Sequence, residues 1–434
     1  MTKVRPSVRP KEREKAMIKA LALVLAIMLS LGMVPALSES AVEVTLWHYF
    51  ESSNDKLMME QRVDEYNRLQ DRIHINAVYI SRQEMMRRYA IGAISGQLPD
   101  IGMVDSPDMA SFISLGLFMD ITDALNAWGE LDRFYPGPLA SCRDADGRLY
   151  GLPQNTSCLA LAVNTDLMKA AGYDRMPETA EEFAEMARAA ADPANGVYGF
   201  AMSCIDTEEG AFQLLPWLGG GVDALDGPEA ERGLSMLAGL MRDGAMSPEC
   251  VGWNQADAWY SFCQGRAAMV ECGTWHLSMT GDIGGAFHYD FCLLPTGAPG
   301  ATGATGATGE SGASCSVIGG ENFGLCAGCA DPEGCLDFLK WLCSAENEAA
   351  WAVGAGKIPS RDDCRVDYPY EQRGFQVFAD EMKFARARGP HPDWPAISET
   401  LRAAAQSVFV DEADPRAALA GAAAIISPML DSKI

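Results

Sequence analysis

The 434-residue sequence is poor in positive charge: 34 lysines and arginines stand against 59 aspartates and glutamates, a formal net charge of −25. A field of that sign repels nucleic acid and anionic membrane surfaces and disfavours a polyanionic ligand. Histidine is scarce too. His48, His74, His276, His288 and His391 form no H-E-x-x-H or comparable pair, so the signature of a zinc hydrolase is missing. There is no G-x-S-x-G elbow and no phosphate-cradling glycine loop with its lysine. Beyond residue 34 no stretch is apolar for long enough to cross a bilayer. Neither an enzyme class nor a cofactor or metal is signalled.

Cysteine, by contrast, is plentiful. Thirteen is an odd number, so all cannot pair, and the spacings do not repeat as in a small disulfide scaffold. Cys326-x-x-Cys329, with Cys335 and Cys343 beyond, lacks the second C-x-x-C of a common zinc site. A chain of this size builds its core without bridges, so many of these thiols are expected to be small buried apolar residues.

At the N-terminus, Lys19 precedes an uncharged run over 20–34 and the small residues Ala36 and Ser38. This is the layout of a secretory signal peptide cleaved after Ala36 or Ser38, and Met17-Ile18-Lys19 would begin such a peptide by itself. The nearest downstream cysteine is Cys142, so no lipoprotein cleavage site is encoded. The product is expected to be exported, to the periplasm or the outer face of the cytoplasmic membrane. The rest exceeds what one core usually organises and suggests two lobes.

Strand and helix then alternate: strand over 42–46, helix over 55–69, strand over 73–80, helix over 85–94, strand over 101–104. That order predicts an α/β fold with a largely parallel sheet, whose ligands sit at the carboxyl ends of the strands. Trp47 and Asp105 occupy that place. Further helices are expected over 179–191, with a Thr179-x-x-Glu182 capping signal, over 229–241, over 332–344 after Asp331, and over 398–424 with a break near Pro415. Six Gly-x-y triplets over 297–314 are too few and too poor in proline for collagen, and are expected to form a mobile loop.

Several motifs, in order along the chain, are similar to those of one family. They are Gly96-Gln97-Leu98-Pro99-Asp100-Ile101, Gly116-Leu117-Phe118-Met119-Asp120, Gly147-Arg148-Leu149-Tyr150-Gly151-Leu152-Pro153, Val163-Asn164-Thr165-Asp166-Leu167 and Pro177-Glu178-Thr179. Phe262-Cys263-Gln264-Gly265-Arg266-Ala267-Ala268-Met269, Gly273-Thr274-Trp275, Gly319-Gly320 and Ile358-Pro359-Ser360-Arg361 complete the series. The chain resembles the extracellular solute-binding proteins of the maltose-binding type, which serve ABC sugar importers.

That resemblance implies a two-lobed periplasmic-binding-protein fold of type II-like topology, each lobe a mostly parallel sheet flanked by helices. The hinge is expected to be crossed near 153–157, near 270–273 and around 344–354. Residues 39–154 and 272–346 would form lobe 1, with the Gly-x-y loop inside it, and residues 155–271 and 347–434 lobe 2. It implies a monomer that captures a mono- or oligosaccharide by hinge closure and delivers it to permease subunits, without catalysis. An exported glycoside hydrolase with cleft carboxylates, a non-transport receptor and a binder of another polar solute are the alternatives.

A sugar offers an apolar C–H face and an edge of hydroxyls, so its site needs aromatic platforms beside polar groups. The candidate platforms are Trp47, Tyr49, Trp217, Trp253 and Trp275, and Trp275 leads because it falls where the family places a stacking tryptophan. Any one of them is equally at home in a core. Trp341 and Trp351 are assigned to packing. The candidate polar partners are Asp105, Asn155, Ser157, Glu209, Glu321, Asn322 and Arg361. Competing structural roles are a helix cap for Asp105, a solvated charge for Glu209 and a surface ion pair for Arg361.

Overall fold

The computed structural model describes residues 41–296, 314–366 and 374–431, together with four residues between 15 and 19. The expected signal peptide core and most of the Gly-x-y loop lie outside the described residues. Residues up to Val42 are counted apart from the compact unit Glu43–Ile434, which holds everything that follows.

Eleven strands are found among the described residues: β1 Val42–His48, β2 Ile73–Tyr79, β3 Ile101–Asp105, β4 Leu152–Pro153, β5 Leu159–Asn164, β6 Tyr198–Ala201, β7 Ala267–Gly273, β8 Tyr289–Cys292, β9 Ser316–Ile318, β10 Glu321–Leu325 and β11 Ala385–Ala387. They form a five-stranded sheet ordered β2-β1-β3-β10-β4, a four-stranded sheet ordered β6-β7-β5-β8, and the pair β11-β9. Helices flank both larger sheets, so the α/β class holds. The sheets are mixed where mostly parallel ones were expected. β1 and β3 run parallel, but β10 is antiparallel to both β3 and β4 because the chain re-enters the first sheet from the opposite end. In the second sheet only β6 and β7 are parallel, and β5 is antiparallel to both neighbours.

β5 shows how sequence dictates burial here. Its period-two alternation sends Leu159, Leu161 and Val163 into one core, with Phe183, Phe200 and Trp217. Ala160 and Ala162 face the other way, toward Trp259, Phe262 and Phe378. Small residues on that face let the rings approach. The first sheet has its own core, with Phe50, Tyr89, Phe323 and the fully buried Trp351.

The chain passes from the first sheet to the second between β4 and β5 and returns at Gly319-Gly320 between β9 and β10. The expected boundaries therefore shift. β8 bonds to the edge of β5, and its Phe291 packs near Phe378, ring centroids 6.1 Å apart, so residues 289–292 lie with the second sheet. Trp351 packs its ring 4.6 Å from that of Phe50 in the first core, so the helix Ala345–Ala355 lies with the first sheet. Strand pairing and packing outweigh sequence order in both cases.

The expected helices form, with ends set by caps. Thr179 accepts a hydrogen bond from the Glu182 N–H at 3.2 Å and opens the helix Ala180–Ala190. Asp331 does the same from the Gly334 N–H at 3.1 Å for Pro332–Leu342. The C-terminal region splits into Trp394–Val410 and Pro415–Leu430, broken just before Pro415. Thr179→Ala should lower unfolding stability by about 1 kcal/mol, the usual worth of such a cap, read as a shift in urea midpoint.

Glu381, at the end of the helix Gly374–Glu381, is fully buried and accepts the Leu294 N–H at 2.9 Å and the Ser314 hydroxyl at 2.6 Å. Burial pushes its carboxyl up to about 8 from an ordinary 4.5. The native state thus holds a proton the unfolded chain releases. Stability from this group is complete below pH 4.5 and is lost as pH rises through 8. Glu381→Gln should flatten that part of the stability profile, and equal pH slopes for both proteins would refute it.

Candidate functional site

Between the two sheets lies a cavity of about 650 Å³. The first sheet contributes the segment after β1, Tyr49 to Asp55, with Arg82 just past β2, Asp105 at the end of β3 and Glu321 at the start of β10. From the second half come Ser157, Glu209, Phe212, Gln255, Tyr260, Trp275 and His276. Strand ends supply much of the lining, as an α/β sheet requires.

Trp275 forms the main platform. It is half-buried, lies near-parallel to Phe212 at 25° with centroids 6.3 Å apart, and has His276 at 5.2 Å. Gly273 makes that position possible, because a Cβ there would fall 2.1 Å from the Trp275 ring. The His276 Nδ1 accepts the Gly273 N–H at 3.1 Å, and burial lowers its pKa to about 3, so the ring stays neutral. Gly273→Ala should displace the platform without deleting it, read as weakened ligand binding with a retained fold.

Charged groups are paired across the cavity floor. Asp105 accepts hydrogen bonds from both Arg82 and Arg388, the latter at 3.1 Å, and Arg388 also pairs with Glu208. The Arg388 side chain is 1% exposed and sits 4.1 Å from the centre of the Phe212 ring. Lys357 lies 3.6 Å from Asp55 and 4.0 Å from Glu321. Burial opposes the Lys357 charge, but these two carboxylates outweigh it and raise its pKa. Burial pushes the Asp55 carboxyl up, with Lys357 pulling the other way. Unpartnered polar atoms remain at the Tyr49 hydroxyl and Gln255 Nε2, and Asp55 Oδ1 accepts no hydrogen bond. Among the described residues, no cluster of histidine, cysteine and carboxylate is arranged to hold a metal.

Six of the twelve expected residues come together at this cavity: Tyr49, Asp105, Ser157, Glu209, Trp275 and Glu321. Asp105 is not a capping side chain; its carboxylate turns to the two arginines. The other six lie elsewhere. Trp47 packs against Tyr89 at 5.5 Å in the first core. Trp217 is buried among Phe183 and Phe200 and donates to Glu271 at 3.0 Å. Trp253 packs at the second sheet's cores, and its carbonyl accepts the Ser203 hydroxyl at 2.8 Å. Asn155 is buried against Gln154, and Asn322 donates to Ser141 at 2.8 Å. Arg361 pairs with Glu130 and Asp363, each at 2.8 Å. Each has found a partner inside the fold, so these placements are corrected.

Arg82, Phe212, Gln255, His276, Lys357 and Arg388 were missed. The strand-end rule applied to β2 would have reached Arg82. Nothing local marks Arg388, which meets Asp105 across 283 positions of chain.

The model of the family "Bacterial extracellular solute-binding protein" matches residues 61–373. The chain belongs to this family. A putative binding protein of Brucella abortus (strain 2308) is 21% identical over 361 residues, covering 81% of this chain and 84% of that protein. Two solved structures share the fold. An ABC transporter solute-binding protein from Thermotoga lettingae bound with α-D-tagatose superposes with a TM-score of 0.77 at 21% identity, over 90% of this chain and 100% of that one. Maltose-bound MalE3 of T. maritima gives 0.76 at 21% identity, over 89% and 99%. The two-lobed architecture of this solute-binding protein is therefore the family's, and the cavity between its sheets is the place to look for the solute. No helix among the described residues is long and apolar enough to cross a membrane.

Proposed function

We propose that this solute-binding protein captures a carbohydrate in the inter-sheet cavity and delivers it to the permease of an ABC importer. The observation that carries the reading is Trp275, backed by Phe212 and held at the edge of a cavity whose other walls are hydrogen-bonding groups. An aromatic face beside polar atoms matches the C–H face and hydroxyl edge of a sugar. The unpartnered Tyr49 hydroxyl and Gln255 amide supply the kind of donor that ligand hydroxyls would satisfy. The sugar-bound relatives support the same class.

Five cavity-lining residues join Trp275 from the expected set with both halves represented: Tyr49, Asp105 and Glu321 on one side and Ser157 and Glu209 on the other. The crossings at 153–159 and 318–321 serve as hinge, and a ligand touching both halves shifts the protein toward closure. The protein acts as an exported monomer. In this reading the protein binds without catalysis, and the charges at the site serve structure: Asp105 is engaged by two guanidinium groups, and Asp55 and Glu321 flank an ammonium.

Calorimetry against a panel of mono- and oligosaccharides tests this. Saturable stoichiometric binding without product is expected. Silence toward every sugar with a clear response to a peptide or polyamine would end the carbohydrate reading, and glycoside turnover would end the non-catalytic one.

A further inference from the structure

The groups that line the inter-sheet cavity are not balanced in charge. Six carboxylates stand there against three cationic side chains, Arg82, Lys357 and Arg388. All three cations are already matched. Arg82 and Arg388 share Asp105, Arg388 also pairs with Glu208 outside the lining, and Lys357 lies 3.6 Å from Asp55 and 4.0 Å from Glu321. His276 adds no charge, because burial lowers its pKa to about 3.

The carboxylates left over are Glu51, Glu209 and Asp282, and among the described residues none of them takes part in an ion pair with a lysine or arginine. Glu51 and Asp282 are exposed, whereas Glu209 is half-buried. The Glu209 Oε2 accepts the Gln255 N–H at 2.9 Å, which holds the side chain against the start of the helix Gln255–Cys263 and leaves Oε1 for a ligand.

Buried oxygens without partners point the same way. Tyr49 and Asp55, 7% and 5% exposed, line this cavity, and the Tyr49 hydroxyl and Asp55 Oδ1 have no hydrogen-bond partner. Such atoms call for N–H or O–H donors from a solute. The rings of Trp275 and the exposed Tyr260 also line the space, and an aromatic face attracts a cation as well as C–H groups.

Closure of the two halves over a ligand removes water from these carboxylates. A neutral sugar donates hydroxyls to them but leaves their charge uncompensated, and an acidic sugar adds repulsion. An ammonium donates charge-assisted N–H bonds and cancels charge at the same time. The formal net charge of −25 draws cations toward the protein over longer distances.

Resting on the carbohydrate reading of this cavity, we propose that the solute is a cationic carbohydrate, an amino sugar or amino-oligosaccharide with its amine unacetylated. Glu209 is the counter-ion of its ammonium, and Asp282 and Glu51 supply negative field from the exposed side.

Calorimetry on the purified full chain with matched sugars tests this. Glucose, N-acetylglucosamine and glucosamine differ only at C2, as do cellobiose, N,N′-diacetylchitobiose and its deacetylated form, and galactose with its two amino derivatives. In at least one set the free amine should bind about 10-fold or more tightly than its hydroxyl and acetamide partners. Raising NaCl from about 0.05 M to about 0.5 M should shrink that ratio several-fold. Glu209→Gln keeps an acceptor for the Gln255 N–H but removes the charge, and should bring the ratio to about 2-fold or less. If a thermal melt shows that this variant does not fold, Asp282→Asn, at an exposed position, should lower the ratio by a smaller factor. A hydroxyl or acetamide sugar binding at least as tightly as every free amine would overturn the cationic assignment and leave carbohydrate capture standing. Spermidine bound while every sugar is silent would end both. A preference for the amine that neither salt nor either variant reduces would overturn the role of the carboxylates.

Discussion

Replacing Trp275 with alanine is expected to weaken sugar binding at least 30-fold, about 2 kcal/mol, while leaving a folded protein. The ring is half-buried, so its far face is available to a ligand while its near face rests by Phe212. Truncation removes the apolar surface that a sugar ring would cover and leaves Phe212 lower in the cavity. Trp275→Phe should recover part of the affinity, because a smaller ring still offers a flat face. Calorimetric titration with the best sugar from the panel, paired with a thermal melt, separates lost affinity from lost fold. Unchanged affinity in folded Trp275→Ala would remove the platform from the site, even if sugar binding itself stood.

Arg388→Met should destabilise the protein by about 3–5 kcal/mol, the usual cost of removing one partner from a buried ion network. Arg388 is nearly inaccessible and serves two carboxylates at once, Asp105 from the first sheet and Glu208 from the helix Glu208–Leu214. Without it, Asp105 keeps Arg82, and Glu208 keeps only the Trp394 indole at 3.2 Å and the Ser398 hydroxyl at 2.5 Å. Methionine preserves much of the stem volume, so the loss reports charge rather than a cavity. Chemical denaturation gives the number, and a change below 1 kcal/mol would show that the network relaxes without its centre. The guanidinium also lies over Phe212, so the variant should loosen the platform and weaken sugar binding as well.

These two residues differ in how far the sequence announced them. Trp275 was legible because Gly273-Thr274-Trp275 sits in a motif series and because the glycine has a steric reason, the ring resting where a Cβ would be. Arg388 had no signal. Its role comes from a meeting of segments that no periodicity encodes. The same division runs through the rest of the site. Tyr49, Asp105 and Glu321 lie at strand ends, where α/β geometry puts ligand groups, and all three reach the cavity. Trp47 also lies at a strand end, yet its ring packs on the buried Tyr89 and does not line the cavity. Trp217 looked like a platform beside three glycines, but Glu271 and two phenylalanines hold it inside.

The sequence alone determined the α/β class, most helix boundaries and their caps, and family membership, because periodicity, capping and turn chemistry act between residues close in the chain. Tertiary structure decided the direction of β10, the sheet to which β8 belongs, which aromatics face solute and which face core, and the pairing of Arg388 and Lys357. Those outcomes depend on which distant surfaces exclude water from one another. A side chain's chemistry is the same on either side of that boundary.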